Sequence, residues 1–305
     1  MKRNFIEIPD FSRDEIFETF ELAKELKQKT KQGIEHHLLK GQTLAMVFQK
    51  PSNRTRVSFE VGMYQLGGHA LYLGPAEIGL GKRESVADVA RVLGRYCDGI
   101  MARVFGHQDV LDLAQYAPVP VINGLSDLVH PCQIMGDMLT IIEHKGKAEG
   151  WKIVYLGDGN NVANSWVNLA RFIPMTLVIS SPEGFEPNAE LVGRTQKAGL
   201  SEIVIEQDPQ RAVANADVVY TDVWASMGQE QEADARKKIF KPYQVNQSLL
   251  NHASKECIVM HCLPAHRGDE ITDQVMDGPQ SVVFDEAENR LHIQKAIMVK
   301  LMKKN

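Results

Sequence analysis

The 305-residue sequence has few cysteines and no long apolar segment, and both shortages narrow the class of protein. Its cysteines are too sparse and too irregularly spaced for a disulfide framework, and they are typical of reduced thiols in a cytoplasmic protein. No apolar run approaches the roughly 18 residues that span a bilayer, and the N-terminal residues lack the apolar region of a signal peptide. The four cysteines are Cys97, Cys132, Cys257 and Cys262.

Positive charge is also limited. The 34 lysines and arginines are outnumbered by 39 aspartates and glutamates, which gives a formal net charge of −5. This balance offers no electrostatic reason to expect nucleic acid or an acidic membrane surface as a partner. The apolar fraction of 44% is that of a globular protein, and the length suits two domains that each bury a core.

Short apolar runs alternate with amphipathic segments from Thr43 onward, and a second series of such runs starts at Trp151. Strands that alternate with helices predict βαβ units and parallel sheets. We therefore expect an α/β fold with two doubly wound parallel-sheet domains joined by helices. The predicted strands are Leu44–Phe48, Ala70–Leu73, Gly99–Arg103, Val119–Ile122, Trp151–Leu156, Thr176–Ile179, Glu202–Ile205, Val218–Thr221 and Cys257–His261.

Helix signals indicate the domain limits. Ser12 and Glu15 form a capping-box pattern before an apolar helical face, and a helix from Gln133 to His144 is predicted to connect the domains. A final helix is predicted at Gln294–Leu301. We predict a first domain of residues 1–145, a second domain of residues 146–287, and a C-terminal helix at about 288–305.

The stretch Ser52-Asn53-Arg54-Thr55-Arg56 lies between a predicted strand and a predicted helix. Free backbone N–H groups and the positive end of the helix dipole attract anions, and arginine forks match phosphate oxygens. Pro51 suits the first turn of that helix. The stretch alone fits a phosphate site and an ordinary basic helix start, with Ser52 as N-cap, about equally well.

Four further polar segments each follow an apolar run. In open parallel sheets, ligand sites lie beyond the carboxyl ends of the strands. We therefore expect these segments to face one cleft between the two domains, and this agreement favours a functional site over coincidence. The segments are Ser126–Gln133, Gly157–Asn161, Asp222–Gly228 and His261–Gly268.

Individual residues in these segments have plausible chemical roles and simpler alternatives. Arg103 and His130 could together polarise a carbonyl oxygen, or they could be a surface arginine and a helix cap. Asp222 could pair with a substrate ammonium, or it could be a helix cap. No lysine or arginine occurs between Asp222 and Glu232, which argues modestly against a dicarboxylic substrate.

Neither a cofactor nor a metal is expected. Gly157–Val162 is a weak dinucleotide fingerprint, because Val162 occupies the position of the third glycine. His261, Cys262 and His266 form a poor zinc set, because no second ligand cluster accompanies them.

In order and spacing, these segments resemble the aspartate/ornithine carbamoyltransferase family from about Thr43 to Arg290. Phe48–Glu60 is typical of the whole family, whereas Ser226-Met227-Gly228 and His261-Cys262-Leu263-Pro264 are typical of its ornithine branch. The resemblance implies transfer of a carbamoyl group from carbamoyl phosphate to the δ-amine of L-ornithine. It also implies a homotrimer or a multiple of trimers, and a C-terminal helix that packs on the first domain.

The resemblance assigns roles residue by residue. The catalytic residues would be Arg103, His130, Asp222 and Cys262. The contacts to ornithine would be Asn161, Asp222, Ser226 and Met227. The contacts to carbamoyl phosphate would be Ser52, Asn53, Arg54, Thr55, Arg103, His130, Pro131, Cys132, Gln133, Cys262, Leu263 and Arg290.

Two positions depart from the family pattern. Asn53 stands where the family has threonine, and much of that contact is through backbone N–H. Gly79 aligns with a glutamine that many members donate from a neighbouring subunit, which predicts weaker carbamoyl phosphate affinity or a substitute from Glu77 or Lys82.

Two other functions are weighed against the ornithine reaction. The first is carbamoyl transfer to putrescine or an acylated ornithine, against which Ser226-Met227-Gly228 argues. The second is a nicotinamide-dependent oxidoreductase built around Gly157–Val162, whose fingerprint is imperfect and which would leave Ser52–Arg56 unexplained.

Overall fold

The computed structural model describes residues 2–225 and 232–304. The chain divides into two compact units. Unit 1 runs up to Leu139 and includes the chain from Glu288 onward, and unit 2 is Thr140–Ala287. The chain leaves unit 1 within helix α6 (Pro131–Lys145) and returns to it within helix α13 (Val283–Met302).

Unit 1 is built on a four-stranded parallel sheet. Its strands are β1 (Thr43–Phe48), β2 (His69–Leu73), β3 (Gly99–Arg103) and β4 (Val121–Leu125). Its other helices are α1 (Arg13–Lys31), α2 (Asn53–Gln65), α3 (Pro75–Ile78), α4 (Val86–Tyr96) and α5 (His107–Tyr116). The strand order is β2-β1-β3-β4, so the winding direction switches between β1 and β3. Such a switch point is where open α/β sheets bind ligands, beyond the carboxyl ends of the strands.

Unit 2 repeats this plan with five parallel strands. They are β5 (Lys152–Leu156), β6 (Thr176–Ser180), β7 (Glu202–Ile205), β8 (Val218–Thr221) and β9 (Ile258–His261). The helices are α7 (Asn161–Leu169), α8 (Ala189–Ala198), α9 (Pro209–Val213), α10 (Ala233–Phe240), α11 (Gln247–Leu250) and α12 (Asp273–Met276). The order β7-β6-β5-β8-β9 places the switch point between β5 and β8.

Both sheets bury their central strands, as parallel sheets covered by helices do. Val47 and Ile100 lie in the core of unit 1, and Val154 and Val219 lie in the core of unit 2, all fully buried. The predicted α/β class with two parallel sheets is therefore confirmed. Among the described residues, no helix combines the length and apolarity needed to cross a membrane.

The local sequence explains where several elements begin. The Ser12 hydroxyl accepts from the Glu15 N–H at 3.3 Å and the Glu15 carboxylate accepts from the Ser12 N–H at 2.9 Å, which confirms the capping box of α1. Strand β4 starts at Val121, later than predicted, because Pro120 has no N–H to donate to a ladder.

Helix α13 begins at Val283, a few residues before the C-terminal helix predicted at about 288–305 and well before the apolar pattern that starts at Gln294. The prediction followed the apolar pattern, and the first part of the helix buries polar side chains instead. Glu286, Asn289 and Arg290 are each no more than 5% exposed. Because these residues hide the apolar periodicity, the sequence pattern marks only the second half of the helix.

Lys295 on α13 is completely buried in unit 1. Its ammonium donates to the hydroxyl of Thr30 at 2.7 Å and to the amide oxygen of Gln65 at 2.8 Å, and it lies 3.3 Å from His36 Nε2. Burial lowers the pKa of Lys295 to about 8. Since an unfolded lysine titrates near 10.4, the unfolded chain holds this proton more tightly than the folded protein does.

This difference predicts that stability rises with pH. Below about pH 8 the charged form is buried at full cost, and the cost disappears as pH rises from about 8 to 10.5. The free energy of unfolding of the parent, relative to Lys295→Met, should rise by roughly 2–3 kcal/mol over that interval. Urea unfolding at pH 7.5 and 10.5 measures it, with the exposed Lys303→Met as control. Parallel pH curves for the parent and Lys295→Met would contradict the prediction.

Candidate active site

In unit 1, helix α2 begins directly after β1. The Ser52 hydroxyl accepts from the Thr55 N–H at 3.4 Å, so Ser52 is the N-cap. Pro51 therefore precedes the cap, and the expectation that it lies in the first turn is wrong. Asn53 is exposed, Ser52 and Arg54 are half-buried, and the N-terminal N–H groups of α2 provide the local field that favours an anion.

Two buried arginines converge on this helix start. Arg103, the last residue of β3, and Arg290, on α13, are 7% and 5% exposed. Arg103 Nη1 and Arg290 Nη2 each lie 3.4 Å from the Thr55 hydroxyl oxygen. Two guanidinium ions held this close repel each other, so the arrangement favours a bound anion that carries more than one negative charge.

Hydrogen bonds to neighbouring side chains hold the Arg290 guanidinium in place. Arg290 donates to the Gln133 amide oxygen, and Gln133 donates to the Asp137 carboxylate at 2.8 Å. With the Gln294 amide oxygen turned towards Arg290, it accepts from Nε at 3.1 Å and Nη2 at 2.9 Å, while its nitrogen donates to Ser58 at 2.6 Å. Sequence reasoning missed Asp137 and Gln294. Their position four residues after Gln133 and Arg290 on the same helices was the available signal.

His130 lies next to the arginines and is 5% exposed. Burial, followed by the charges of Arg290 and Arg103, holds the pKa of His130 well below its ordinary value. The imidazole is therefore neutral near pH 7. A neutral imidazole can donate one hydrogen bond to a carbonyl oxygen without adding a third positive charge to the cluster.

Pro131 and Cys132 open helix α6 and are buried. The Cys132 thiol donates to the backbone oxygen of Asn123 at 3.4 Å, and burial raises the pKa of this thiol to about 12. The side chain is thus a neutral thiol directed at β4. We infer that a contact from Cys132 to an anion would come from its backbone N–H.

In unit 2, Asp222 follows β8 and Cys262 follows β9. The Asp222 carboxylate is 7% exposed and accepts three hydrogen bonds. They come from the Cys262 thiol at 2.9 Å, the Val223 N–H at 2.8 Å and the Asn160 amide at 2.8 Å. This arrangement fixes a negative charge beside a thiol, where a substrate ammonium can bind and lose a proton.

Asn160, which sequence reasoning did not assign, is central to this arrangement. Its amide oxygen caps α7 by accepting from the Val162 N–H at 2.8 Å, and its amide nitrogen holds Asp222. The Tyr155 hydroxyl also donates to that oxygen at 3.2 Å. Asn161, the predicted ornithine ligand, is the half-buried first residue of α7.

The turn after β5 does not suit a dinucleotide. In a dinucleotide site the second glycine lets the backbone approach a pyrophosphate. Here a Cβ on Gly159 would lie 2.3 Å from the backbone of Glu186 and Pro187, so protein occupies that space. The glycine serves the packing of this loop, which argues against the oxidoreductase alternative.

One group of described residues has the composition of a metal site. A ligand atom from each of Asp222, His261 and Cys262 lies within 4.8 Å of the others. However, His261 Nε2 lies 3.0 Å from Glu270, its Nδ1 accepts from the Leu263 N–H, and the Cys262 thiol donates to Asp222. Metal binding would break these bonds, so the group fits a hydrogen-bonded assembly better than a metal site.

Three predicted positions remain, namely Ser226, Met227 and Gly79. Ser226 and Met227 lie outside the described residues. Gly79 has a φ of +50°, and a Cβ there would lie 2.7 Å from the Cβ of Arg83. A glutamine at position 79 would therefore be strained unless this loop moved.

Comparison with known proteins agrees with the anion-binding residues of unit 1 and with the Asp222 cluster of unit 2. Residues 3–143 match the carbamoyl-P binding domain of the aspartate/ornithine carbamoyltransferase family, and residues 149–301 match its Asp/Orn binding domain. The chain is 55% identical to ornithine carbamoyltransferase of Syntrophus aciditrophicus over 298 residues, which cover 98% of this chain and 99% of that protein. It is 54% identical to that of Thermococcus kodakarensis over 305 residues, which cover 98% and 96%.

A solved structure supports the same relationship. The ornithine carbamoyltransferase structure from Pyrococcus furiosus superposes with a TM-score of 0.95 at 53% identity, covering 99% of this chain and 97% of that one. Both family domains, the full-length relatives and the common fold therefore agree, and the chain belongs to the aspartate/ornithine carbamoyltransferase family.

Proposed function

We propose that this protein is an ornithine carbamoyltransferase, which transfers the carbamoyl group of carbamoyl phosphate to the δ-amine of L-ornithine and releases L-citrulline and phosphate. The strongest structural support is the convergence of Arg103 and Arg290 on Thr55 at the N-terminus of α2. A buried pair of guanidinium ions at a helix N-terminus suits the doubly charged phosphate group of an acyl phosphate.

Carbamoyl phosphate is proposed to bind in unit 1. Its phosphate would accept from the first N–H groups of α2 and from Arg54. Arg103 and the neutral His130 would then face the carbamoyl oxygen, where negative charge develops as the carbon becomes tetrahedral. Donors that are fixed in place before the reaction stabilise such a charge most effectively.

Ornithine is proposed to bind in unit 2, with its δ-ammonium beside Asp222 and Cys262. An alkylammonium has an ordinary pKa of about 10.4, so the nucleophilic amine is rare at neutral pH. The carboxylate of Asp222 would take up the first proton. The freed lone pair then attacks the carbamoyl carbon, the carbon–oxygen bond to phosphate breaks, and the second proton leaves with the phosphate.

The acceptor specificity rests on charge. The segment from Asp222 to Glu232 contains no lysine or arginine, and the described part of the site offers Asp222 as an anion. An amine-bearing acceptor suits it better than aspartate. Putrescine and an acylated ornithine remain as alternative acceptors, and we favour ornithine because Ser226-Met227-Gly228 is typical of the ornithine branch.

A homotrimer, or a multiple of trimers, is proposed as the assembly. Strand β2 is an edge strand, and Leu71 on it is 40% exposed. On the neighbouring helix α2, Val57 and Tyr64 are 47% and 80% exposed. Apolar side chains on an edge strand and the adjoining helix suit contact with another copy of the chain.

We further propose a cytoplasmic enzyme of arginine biosynthesis. None of the four cysteines forms a disulfide in the described part of the chain, and burial raises the pKa of Cys132 and of Cys257 to about 12. Buried thiols that stay protonated suit a reducing compartment.

Product formation with separate acceptors tests the function. Carbamoyl phosphate is supplied with ornithine, putrescine, N-acetylornithine or aspartate, and the ureido product is measured. We expect turnover with ornithine alone. Turnover with a different acceptor would overturn the assignment of unit 2, and inactivity with all four would overturn the proposed reaction.

A further inference from the structure

Glu270 is a carboxylate that is completely buried in unit 2, on the chain that follows β9. Burying a carboxylate is costly unless hydrogen bonds compensate. One oxygen, Oε1, lies 3.0 Å from His261 Nε2 and accepts from the His266 N–H at 2.6 Å. The same atom therefore holds the segment Cys262–His266 at both of its ends.

The hydrogen bonds define the state of the His261 ring. The Leu263 N–H donates to His261 Nδ1 at 2.9 Å. Because a backbone N–H is always a donor, Nδ1 must be unprotonated, and the proton lies on Nε2. Nε2 therefore donates to Glu270, and the fully buried ring is fixed at both nitrogens.

Leu263 needs this support. Its φ of +57° lies in the left-handed region, which costs a residue with a side chain about 1–2 kcal/mol. Among the described non-glycine residues, Asn215 alone shares a positive φ, and asparagine tolerates that region far better than leucine does. The bond from the Leu263 N–H to His261 compensates for the strain and fixes the direction of the adjoining peptide groups.

We propose that His261, oriented by Glu270, is a positioning residue for carbamoyl transfer. It fixes the Leu263 backbone and, through the intervening Cys262, the thiol that donates to Asp222. The inference rests on the proposed function, because Cys262 and Leu263 lie next to the reacting groups only if carbamoyl transfer is the reaction. His261 is fully buried and acts on the reaction through these neighbours.

Two substitutions at His261 separate positioning from structural support. His261→Asn places an amide oxygen near the Nδ1 position, so the Leu263 N–H keeps an acceptor while Glu270 loses its donor. His261→Gln places an amide nitrogen near the Nε2 position, so Glu270 keeps a donor while the Leu263 N–H is left without an acceptor. His261→Asn thus removes the hydrogen bond to Glu270, and His261→Gln removes the hydrogen bond from the Leu263 N–H.

Of the two His261 variants, the one with the higher kcat should have the lower melting temperature. His261→Gln should lower kcat for citrulline formation about 100-fold, because small displacements of reacting groups have effects of that size. His261→Asn should stay within about fivefold of the parent although its melting temperature is the lower of the two, since the buried Glu270 carboxylate loses its side-chain donor and keeps only the His266 N–H. Inhibition by inorganic phosphate, which unit 1 would bind, should be unchanged in both.

A second pair of substitutions, at Glu270, tests whether this carboxylate orients His261. Glu270→Gln keeps an oxygen that can accept from His261 and His266, and its kcat should stay within about threefold of the parent. Glu270→Leu removes the acceptor of both the His261 ring and the His266 N–H, so the ring is no longer held towards Leu263 and kcat should fall about as far as in His261→Gln. Equal kcat values within either pair, or activity that follows melting temperature, would overturn the proposal. A parent enzyme inactive towards ornithine would overturn the proposed function instead.

Discussion

Arg103→Ala is expected to lower kcat by roughly 10²–10³-fold or more while the protein stays folded. The Arg103 guanidinium is fixed at the end of β3 and lies 3.4 Å from the Thr55 hydroxyl, at the start of the helix proposed to bind the phosphate. In the proposed reaction it meets the oxygen on which negative charge develops. Removing one such donor typically costs a factor of this size, because no water molecule is held in its place with the same orientation.

The fold should tolerate this change. Arg103 is 7% exposed and lies close to a second buried cation, Arg290, so its removal relieves repulsion as well as deleting contacts. We therefore expect a melting temperature near that of the parent. Arg194→Ala, which removes an exposed arginine of α8, is the matched control and should leave both kcat and melting temperature unchanged.

Arg103→Ala should also change the pKa of His130. The charge of Arg103 contributes to the lowered pKa of His130, after burial and Arg290. Its removal should therefore raise that pKa, and the His130 imidazole signal should titrate at higher pH in an NMR experiment. Near-normal turnover in Arg103→Ala would contradict the assigned role, and an unmoved His130 titration would contradict the proximity of the two side chains.

The sequence predicted those parts of the molecule that depend on neighbours along the chain. Apolar runs located all nine described strands to within a few residues, because each buried strand needs consecutive apolar side chains. Ser12 caps α1 where the local capping-box pattern indicated that a helix begins. The polar segments at the ends of β1, β4, β5, β8 and β9 were identified because parallel sheets present ligands at the carboxyl ends of their strands.

Contacts between distant residues could not be predicted in this way. Arg290 lies 235 residues from Thr55 in the sequence, and only the fold shows that its side chain meets that hydroxyl. Arg290 entered the predicted site only through the family resemblance. Asn160 was not assigned a role from the sequence, whereas in the fold its amide joins the cap of α7 to Asp222. The pairing of Glu270 with His261 likewise depends on how the chain after β9 folds back.

Asp222→Asn is expected to lower kcat/KM for ornithine by roughly 10²–10⁴-fold. The substitution removes the negative charge proposed to bind the δ-ammonium and to take up its proton. It also turns an acceptor into a donor, because one carboxylate oxygen of Asp222 accepts from the Asn160 amide nitrogen at 2.8 Å. Two facing donors should cost about 1–3 kcal/mol of stability.

A double variant separates the lost charge from the lost hydrogen bond. In Asn160→Asp/Asp222→Asn the donor and acceptor are exchanged, so the bond between the two side chains is restored. Aspartate is also as good a cap for α7 as asparagine. The double variant should therefore recover the melting temperature, yet it should remain slow, because the carboxylate no longer stands beside the Cys262 thiol.

The pH dependence then distinguishes proton removal from binding. Ornithine loses its own δ-proton as pH approaches about 10, so the deficit of Asp222→Asn should narrow between pH 7 and 10 if the carboxylate acts as the base. A constant deficit would restrict Asp222 to binding the ammonium. Recovery of turnover in the double variant would contradict both roles, because a carboxylate at position 160 would then serve as well as one at position 222, which the contact between Asp222 and Cys262 argues against.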